Sequence, residues 1–400
     1  MDTQKTDRSL LINGPIILPD RVIAGHAVLI ESGYIVDIVE EGAVDESVPR
    51  HNVGGRYIAP GLIDIHTHGS MGYEFNDGTE EAFGAIIQEQ VRHGVTGLLA
   101  TTSSIPLHDL LCSIDVCRGW MSSPKQGARI LGMHLEGPYF NLAHKGAQNQ
   151  DNIRVPSDGT ATELLDHADV LKIVTYAPEL PGALELTSQI VARGIVPAAG
   201  HSSATDEQVR AAIQAGLQHT VHLWSGQSTT IRVGPWRKPG LLEASLTYDE
   251  LTAEIIADNR HLPATLMKLA YKCKGADRLC AVSDATSGAG LPEGTQLITG
   301  NVACEVRDGV AILLDKSAFA GSTTLLGDML PILVNVVDIP LPEAVRMMSL
   351  TPARIIGADD TVGSLRPGKR ADIMVLNEDL TVWSTFVGGQ RVYAAQHSTL

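Results

Sequence analysis

Short apolar runs that each end in a histidine or a carboxylate restrict the fold of this sequence more than any other feature. Residues 130–135 read as a buried strand that delivers Glu136 to its end, and Gly137 and Pro138 then turn the chain. Similar runs end at or beside five further polar residues: His66, His68, His201, His222 and Asp284. One carboxylate at a strand end usually faces solvent, whereas this convergence is typical of a metal site at the mouth of a parallel barrel.

The middle of the chain alternates strand-like and helix-like segments. Residues 79–93 place apolar side chains at helical spacing before Gly94, which predicts a helix that ends there. Thr205 is the predicted N-cap of a second helix, which ends at Gly216. Strand-like segments centre near positions 62, 97, 132, 172, 197, 221, 256 and 281. This order predicts an α/β fold, a (β/α)₈ barrel with its chemistry at the C-terminal ends of the strands.

Both ends of the chain consist of short β-like runs separated by turn signals. Residues 9–58 contain such runs near the N-terminus, and residues 371–393 have the same character near the C-terminus. We expect the two ends to pair into a small β-sandwich domain of residues 1–58 and 356–400, which brackets a barrel domain of residues 59–355.

The composition argues against several classes of function. The chain has 30 basic and 46 acidic residues, so its net charge of −16 gives it no long-range attraction for nucleic acid or an anionic membrane. Residues 1–8 are polar and no apolar run approaches the roughly 20 residues of a membrane span. The 5 scattered cysteines indicate reduced thiols. We therefore expect a cytoplasmic protein that holds any anionic substrate with a few local cations.

The candidate metal ligands are four histidines and one glutamate. His66 and His68 lie two residues apart on an extended segment, so both imidazoles can approach one cation, although two surface histidines in a turn would have the same spacing. His201 and His222, taken with Glu136, match the three-ligand pattern of catalytic zinc. Alone, each of the last two histidines would more often be a buried residue bonded to a backbone carbonyl.

Asp284 is the predicted general base. A carboxylate beside a metal-bound water can accept a proton and pass it to a leaving group. The alternative is a capping aspartate in the turn before Gly288, where this residue type is common.

These motifs together resemble the amidohydrolase superfamily and, within it, the N-acetylglucosamine-6-phosphate deacetylase family. The segment 60–69 is similar to the superfamily's opening signature, and residues 363–372 fit its second sandwich segment. Four shorter motifs narrow the resemblance to the deacetylases: Leu135-Glu136-Gly137-Pro138 with Lys145-Gly146-Ala147, Gly200-His201-Ser202, Ala257-Asp258 with His261, and Ser283-Asp284-Ala285.

The resemblance implies a homodimeric enzyme that hydrolyses the acetamido group of a small amino-sugar phosphate. It implies that a divalent metal binds Glu136, His201 and His222, with a second metal position completed by His66 and His68. It further implies that Asp284 is the catalytic acid and base, that His261 polarises the carbonyl or touches the sugar phosphate, and that Arg237 contacts the phosphate. Zinc is the first expectation for the metal, with iron(II) or another divalent ion as alternatives and one or two ions per subunit.

The chain departs from the family pattern at positions that face the substrate. Gln148 stands where the family has a histidine, Ser225 and Gly226 replace an Asn-Ala pair that helps to hold the phosphate, and Asn259 replaces a glycine. These departures keep open a different N-acyl sugar, or a cyclic amide or lactone, as the substrate. A non-catalytic scaffold is the least favoured alternative, because every candidate metal ligand is present.

Overall fold

The computed structural model describes residues 8–300 and 302–395. Eight parallel strands form a sheet in which neighbours follow the chain order: Leu62–Thr67, Val95–Thr102, Arg129–Glu136, Leu171–Tyr176, Val196–Ala199, His219–Thr220, Thr252–Ile256 and Leu279–Val282. The first and eighth strands meet, since the Asp284 N–H donates to the His66 carbonyl at 2.8 Å and Thr67 bridges to Ala285. The predicted barrel is confirmed, and each predicted strand centre lies in or beside an observed strand.

Helices cover the outside of the barrel: Glu80–Arg92, Leu107–Ser122, Ala161–Leu165, Ala183–Ala192, Asp206–Ala215, Leu241–Thr247, Ala264–Lys274, Leu326–Asn335, Leu341–Met347 and Leu350–Ile355. The two predicted helices are confirmed. The Thr79 side chain caps the first, and Thr205 forms a capping box with Gln208 at the start of the second. Among the described residues, no helix combines the length and apolar character that a membrane crossing requires.

Strands from both ends of the chain form two sheets beside the barrel. One sheet has the order Tyr34–Glu40, His26–Glu31, Arg8–Ile12 and Arg50–Asn52. The other has the order Gln390–Ala394, Val382–Val387, Ile373–Leu376, Tyr57–Pro60, Ile16–Ile17 and Val22–Ile23. The two ends therefore pair directly, because Ile373–Leu376 runs antiparallel to Tyr57–Pro60. The expected sandwich segments 1–7 and 396–400 lie outside the described residues, and the domain boundaries stay a prediction.

An antiparallel sheet that the sequence analysis did not predict lies between the eighth barrel strand and the helix Leu326–Asn335. Its strands are Gln296–Thr299, Val302–Arg307, Val310–Leu313 and Phe319–Ser322. The Ser322 N–H donates to the Asp284 carbonyl at 2.9 Å, and the Thr286 N–H donates to the Ser322 carbonyl at 3.1 Å. These bonds hold the sheet, which we call the inserted sheet, against the C-terminal end of the barrel.

Shorter elements complete the loops at the same end. Two small hairpins pair Gly69–Ser70 with Tyr73–Glu74 and Ile231–Val233 with Trp236–Lys238. Single 3₁₀ turns occupy Phe75–Asp77, Leu142–His144, Gln150–Asn152 and Pro156–Asp158.

Candidate active site

The six predicted metal and base residues lie together at the C-terminal end of the barrel. Glu136 is the last residue of the third strand and His66 lies in the first, while the other four follow their strands within two residues: His68, His201, His222 and Asp284. Their side chains are buried or nearly so. The structure thus brings together, from five separate strands, every residue of that predicted set.

Three of these residues adopt a backbone conformation that is unfavourable for a side chain. The φ angles of His201, His222 and Asp284 are 47°, 23° and 46°, in or near the left-handed region. Non-glycine residues there carry strain of order 1–3 kcal/mol, and such residues cluster at functional sites. In each case the residue lies two positions beyond the last residue of a barrel strand, so the polar side chain is placed at the strand end.

Glu136 is the centre of the cluster. Its Oε1 atom lies 2.8 Å from His222 Nε2, 3.0 Å from His201 Nε2 and 3.5 Å from His66 Nε2. Its Oε2 atom lies 3.5 Å from His68 Nε2. One carboxylate is therefore surrounded by ring nitrogens of four histidines.

The opposite ring nitrogens show which tautomer each histidine adopts. The Nδ1–H of His201 donates to the His144 carbonyl at 2.9 Å, and the Nδ1–H of His222 donates to the Ser225 carbonyl at 3.1 Å. In a neutral ring the Nε2 atom then carries a lone pair, which would face the lone pairs of Glu136. Bound protons or a cation between these atoms would remove that repulsion, so the donor set fits a divalent metal.

His66, His68 and Asp284 form an adjoining group. Asp284 Oδ1 lies 3.3 Å from His68 Nε2 and 3.7 Å from His66 Nε2. The buried His66 Nε2 and His68 Nδ1 atoms have no hydrogen-bond partner. The potential ligand atoms of this group lie within 4.8 Å of one another, as do those of His66, Glu136 and His222. The cluster therefore contains two overlapping groups of potential metal ligands, which share His66.

Charges within the cluster control its protonation. Burial alone would raise the pKa of Glu136, but the charge and hydrogen bond of His201, together with His222 and His66, lower it well below the usual value. Burial likewise opposes ionisation of Asp284, and the hydrogen bond from His68 with the charges of His66 and His222 lowers its pKa. Both carboxylates are thus ionised at neutral pH, which suits a bound cation.

A buried glutamate that the sequence analysis missed supports the cluster from below. Glu254 accepts from His66 Nδ1–H at 2.8 Å and from the backbone N–H of His222 at 3.2 Å. His219 bonds Glu254 through Nε2 at 3.0 Å and Thr252 through Nδ1 at 2.7 Å, so neither of its ring nitrogens is free for a metal. The signal available in the sequence was a charged residue inside the otherwise apolar run 253–257.

His134 is a second buried polar residue that the sequence analysis did not identify, and its ring packs against that of His66 with the ring centroids 4.5 Å apart. Its Nδ1 atom is 3.1 Å from the Ile65 carbonyl and its Nε2 atom is 2.7 Å from Thr175 Oγ1. Although His66, His134 and Glu254 have the spacing of a ligand group, hydrogen bonds already use both ring nitrogens of His134 and the Nδ1 atom of His66. The deeper group therefore needs no cation.

A cavity of about 220 Å³ opens beside the cluster. His68, Glu136, His201, His222 and Asp284 line one side of it. The first barrel loop and the inserted sheet supply further lining residues, which the sequence analysis also missed: Glu74, Asn76, Thr299, Gly300 and Phe319. The pair Asp308-Gly309 between two apolar runs was the sequence signal for a hairpin in the inserted sheet.

Four of the five predicted substrate-binding residues also line the cavity: His261, Gln148, Ser225 and Gly226. The Nδ1–H of His261 donates to Asp258 at 2.7 Å, which holds its ring against the cavity. Gly226 has a φ of 58°, and a Cβ atom there would meet His201 Nδ1 at 2.8 Å. This close approach explains why glycine follows Ser225. The contact of these residues with a substrate stays a prediction.

Arg237, the fifth residue of that set, lies outside this lining. It is exposed on the hairpin that pairs Ile231–Val233 with Trp236–Lys238, and its guanidinium donates to the Pro235 carbonyl at 3.2 Å. The predicted contact of Arg237 with a phosphate therefore requires either a movement of the hairpin or a second subunit.

Comparison with known proteins gives consistent matches over most of the chain. A model of the amidohydrolase family matches residues 57–392. An N-acetylgalactosamine-6-phosphate deacetylase of Escherichia coli O157:H7 is 32% identical over 83% of this chain and 87% of its own length. An N-acetylglucosamine-6-phosphate deacetylase of Haemophilus influenzae is 30% identical over 95% of this chain and 98% of its own. The crystal structure of an N-acetylglucosamine-6-phosphate deacetylase from Pasteurella multocida superimposes with a TM-score of 0.91, at 29% identity, over 97% of this chain and 100% of that one.

Proposed function

We propose that this chain, which belongs to the amidohydrolase family and within it to the N-acetylglucosamine-6-phosphate deacetylases, removes the acetyl group of N-acetylglucosamine 6-phosphate or a close relative. The chain is a metal-dependent hydrolase, as its family membership establishes. The observation that carries the proposal is the ring of imidazole Nε2 atoms around Glu136 Oε1, at 2.8, 3.0 and 3.5 Å.

The residues that would hold the principal metal are Glu136, His201 and His222. His66 and His68 would complete a second position with Asp284. Zinc suits imidazole and carboxylate ligands, and iron(II) is the alternative that the same donor set accepts. A divalent ion held there would polarise the amide carbonyl and lower the pKa of a bound water toward roughly 7.

Asp284 is the proposed catalytic acid and base. Its low pKa keeps the carboxylate ionised, ready to accept a proton from the attacking water. The water oxygen bonds to the carbonyl carbon, Asp284 returns the proton to the amide nitrogen, and the carbon–nitrogen bond then breaks. The products are acetate and a free amino sugar.

His261 is the proposed electrophilic or substrate-holding residue. Because Asp258 accepts the Nδ1–H, the Nε2 atom of His261 is left for the cavity. Burial would raise the pKa of Asp258, but the hydrogen bond and charge of His261 lower it, so this acceptor stays ionised. When Nε2 carries a proton, the ring can donate a hydrogen bond to the carbonyl oxygen or to a sugar oxygen. When Nε2 carries no proton, it can accept a hydrogen bond from a sugar hydroxyl.

We propose a homodimer in which the exposed hairpin joins the subunits. Ile231, Val233 and Trp236 on this hairpin are 57%, 51% and 73% exposed, which is unusual for three apolar residues so close together. Burial of the hairpin against a second copy would bring Arg237 near a neighbouring site, where it could contact a phosphate. We expect Trp236→Asp to sediment as a monomer, whereas an unchanged oligomer would remove the hairpin from the interface.

We also propose that the protein works in the cytoplasm. All five cysteines are free thiols in the structure, as is usual in a reducing compartment. The proposal agrees with the absence of any charge pattern for nucleic acid or membrane binding in this acidic sequence.

A different N-acyl sugar is the second candidate substrate, and one observation favours it. The described residues that line the cavity include Glu74 but no lysine or arginine. Apart from the histidines of the proposed metal site, His261 is therefore the only described lining side chain that could carry a positive charge toward a phosphate group. Opening of a cyclic amide or lactone has no comparable support, and a non-catalytic scaffold is least favoured, because the ligand cluster is complete.

The proposal is tested by acetate release from protein that has been stripped with a chelator and reloaded with Zn²⁺ or Fe²⁺. The substrates are N-acetylglucosamine 6-phosphate, N-acetylgalactosamine 6-phosphate and both sugars without phosphate. We expect metal-dependent release that is fastest with a phosphorylated sugar. Faster release from an unphosphorylated sugar would select the second candidate, and no release from any of them by metal-loaded protein would overturn the assignment.

A further inference from the structure

Gln148 makes two hydrogen bonds that join the ends of two barrel strands. Its Nε2 atom donates to Glu136 Oε2 at 2.6 Å, and its Oε1 atom accepts from the backbone N–H of Ser104 at 2.7 Å. Glu136 ends the third barrel strand, and Ser104 lies two residues beyond the second. The Gln148 side chain is 7% exposed, so water competes little for either bond.

The orientation of the Gln148 amide follows from its partners. The Ser104 N–H can only donate, so the amide oxygen must face it. An ionised Glu136 can only accept, so the amide NH₂ must face the carboxylate. The two contacts are consistent with one orientation, and reversing the amide would lose both of them.

This contact separates the two oxygens of Glu136. Oε2 receives the Gln148 N–H, while Oε1 faces the Nε2 atoms of His201 and His222. A carboxylate with one oxygen held in this way presents the other in a fixed direction, and a hydrogen-bonded ligand of this kind binds a metal more tightly than a mobile one. Polar partners of metal ligands typically contribute 10- to 100-fold in affinity.

We propose that Gln148 is a positioning residue for Glu136, which aims Oε1 at the metal, rather than a substrate contact. The proposal rests on the metal site of the proposed function. It also gives a physical role to one of the positions at which this chain departs from the family pattern. Although the family's histidine is absent, Gln148 supplies a hydrogen-bond donor to the proposed metal ligand Glu136.

The test compares metal affinity with substrate affinity in three variants. Gln148→Met keeps the length of the side chain but removes its donor and acceptor, Gln148→His restores a ring nitrogen that can donate, and Gln150→Ala changes an exposed glutamine of the same loop. Zinc dissociation constants are measured by competition with a chromophoric chelator, and KM is measured at saturating metal. Circular dichroism establishes that each variant is folded.

We expect Gln148→Met to weaken zinc binding 10- to 100-fold with a change in KM below about 3-fold. Gln148→His should regain most of the affinity, and Gln150→Ala should match the unchanged protein. Unaltered zinc affinity in folded Gln148→Met, with KM raised 10-fold or more, would overturn the inference and make Gln148 a substrate contact. Failure of the unchanged protein to bind zinc or iron(II) would instead contradict the proposed function.

Discussion

The two ends of the barrel are built on opposite principles. At the N-terminal end several strands begin with buried apolar residues, among them Leu62, Val95 and Leu279, which pack in one cluster with Met374 of the neighbouring sandwich sheet. At the C-terminal end the strands lead into ionisable side chains that face one another. The comparison shows that the N-terminal end stabilises the fold by burying apolar side chains. The C-terminal end instead holds buried ionisable side chains, which are costly to bury and serve the proposed function.

The backbone repeats this difference. His201, His222 and Asp284 have positive φ angles immediately after their strands, and His66 Nε2 and His68 Nδ1 are buried without a hydrogen-bond partner. Strained residues and unpaired polar atoms each cost free energy of folding. We infer that the apolar end of the barrel offsets this cost, and the following predictions test that division.

The largest effect is expected at Asp284. Asp284→Asn keeps the size of the side chain but cannot accept the proton from water, so the rate of acetate release should fall by about 10²–10⁴. The metal held by Glu136, His201 and His222 should stay bound, and circular dichroism should show a folded protein. Asp308→Asn is the matched control, because Asp308 also has a positive φ of 53° but lies exposed on the inserted sheet. A near-normal rate in Asp284→Asn would show that another group moves the proton.

The apolar end should respond in the opposite way. Leu62 is fully buried at the start of the first barrel strand, so Leu62→Ala should lower the free energy of unfolding by about 2–5 kcal/mol. Zinc affinity and kcat of the folded fraction should be unaltered. Urea unfolding followed by circular dichroism measures the first quantity. A large loss of zinc affinity would mean that the two ends are not separable.

Glu254 lies between the two ends, and its replacement should give an intermediate effect. Glu254→Leu removes the acceptor that fixes the His66 tautomer, so zinc affinity should fall 10- to 100-fold. Glu254→Gln retains an acceptor oxygen and should bind more tightly than the leucine variant. Chelator competition measures both. If both variants and the unchanged protein bound zinc with equal affinity, Glu254 would have no role in metal binding.

The smallest effect is expected at His93, which follows the helix Glu80–Arg92. Burial alone would lower the pKa of His93, but the hydrogen bonds to Asp328 and Glu89 raise it to about 9. A raised pKa contributes stability that is complete below the unfolded value of about 6.5 and is lost as the pH rises to about 9. The contribution should be about 1 kcal/mol, since the pair is partly exposed. The free energy of unfolding, measured with urea, should therefore fall more on His93→Gln replacement at pH 6 than at pH 9.5. An equal decrease at both pH values would contradict the pairing of His93 with Asp328 and Glu89.

The sequence was sufficient for the barrel because most strands are largely apolar runs, and several of them lead into a histidine or carboxylate at or just beyond the strand end. Glu136, His201 and Asp284 could be placed at one end of the barrel by that pattern alone. The roles of Glu254 and Gln148 could not be predicted, because each depends on a partner from a different strand or loop. The register between parallel strands, which sets those contacts, is not encoded in the local pattern of either strand.

The inserted sheet was missed for a related reason. Its alternating runs, such as residues 302–307, are typical of strands, but they followed the eighth expected barrel strand and were not required to complete it. The position of Arg237 shows a further limit, since motif similarity assigns a role without showing whether the side chain reaches its own cavity.

The central claim is that the histidines around Glu136 hold a metal ion. Crystals grown with zinc and measured at the zinc absorption edge test it most directly, because the anomalous signal locates the ion independently of activity. We predict a peak about 2.0–2.2 Å from Glu136 Oε1, His201 Nε2 and His222 Nε2. A zinc-containing crystal with no peak there, or with a peak only among His66, His134 and Glu254, would contradict the account.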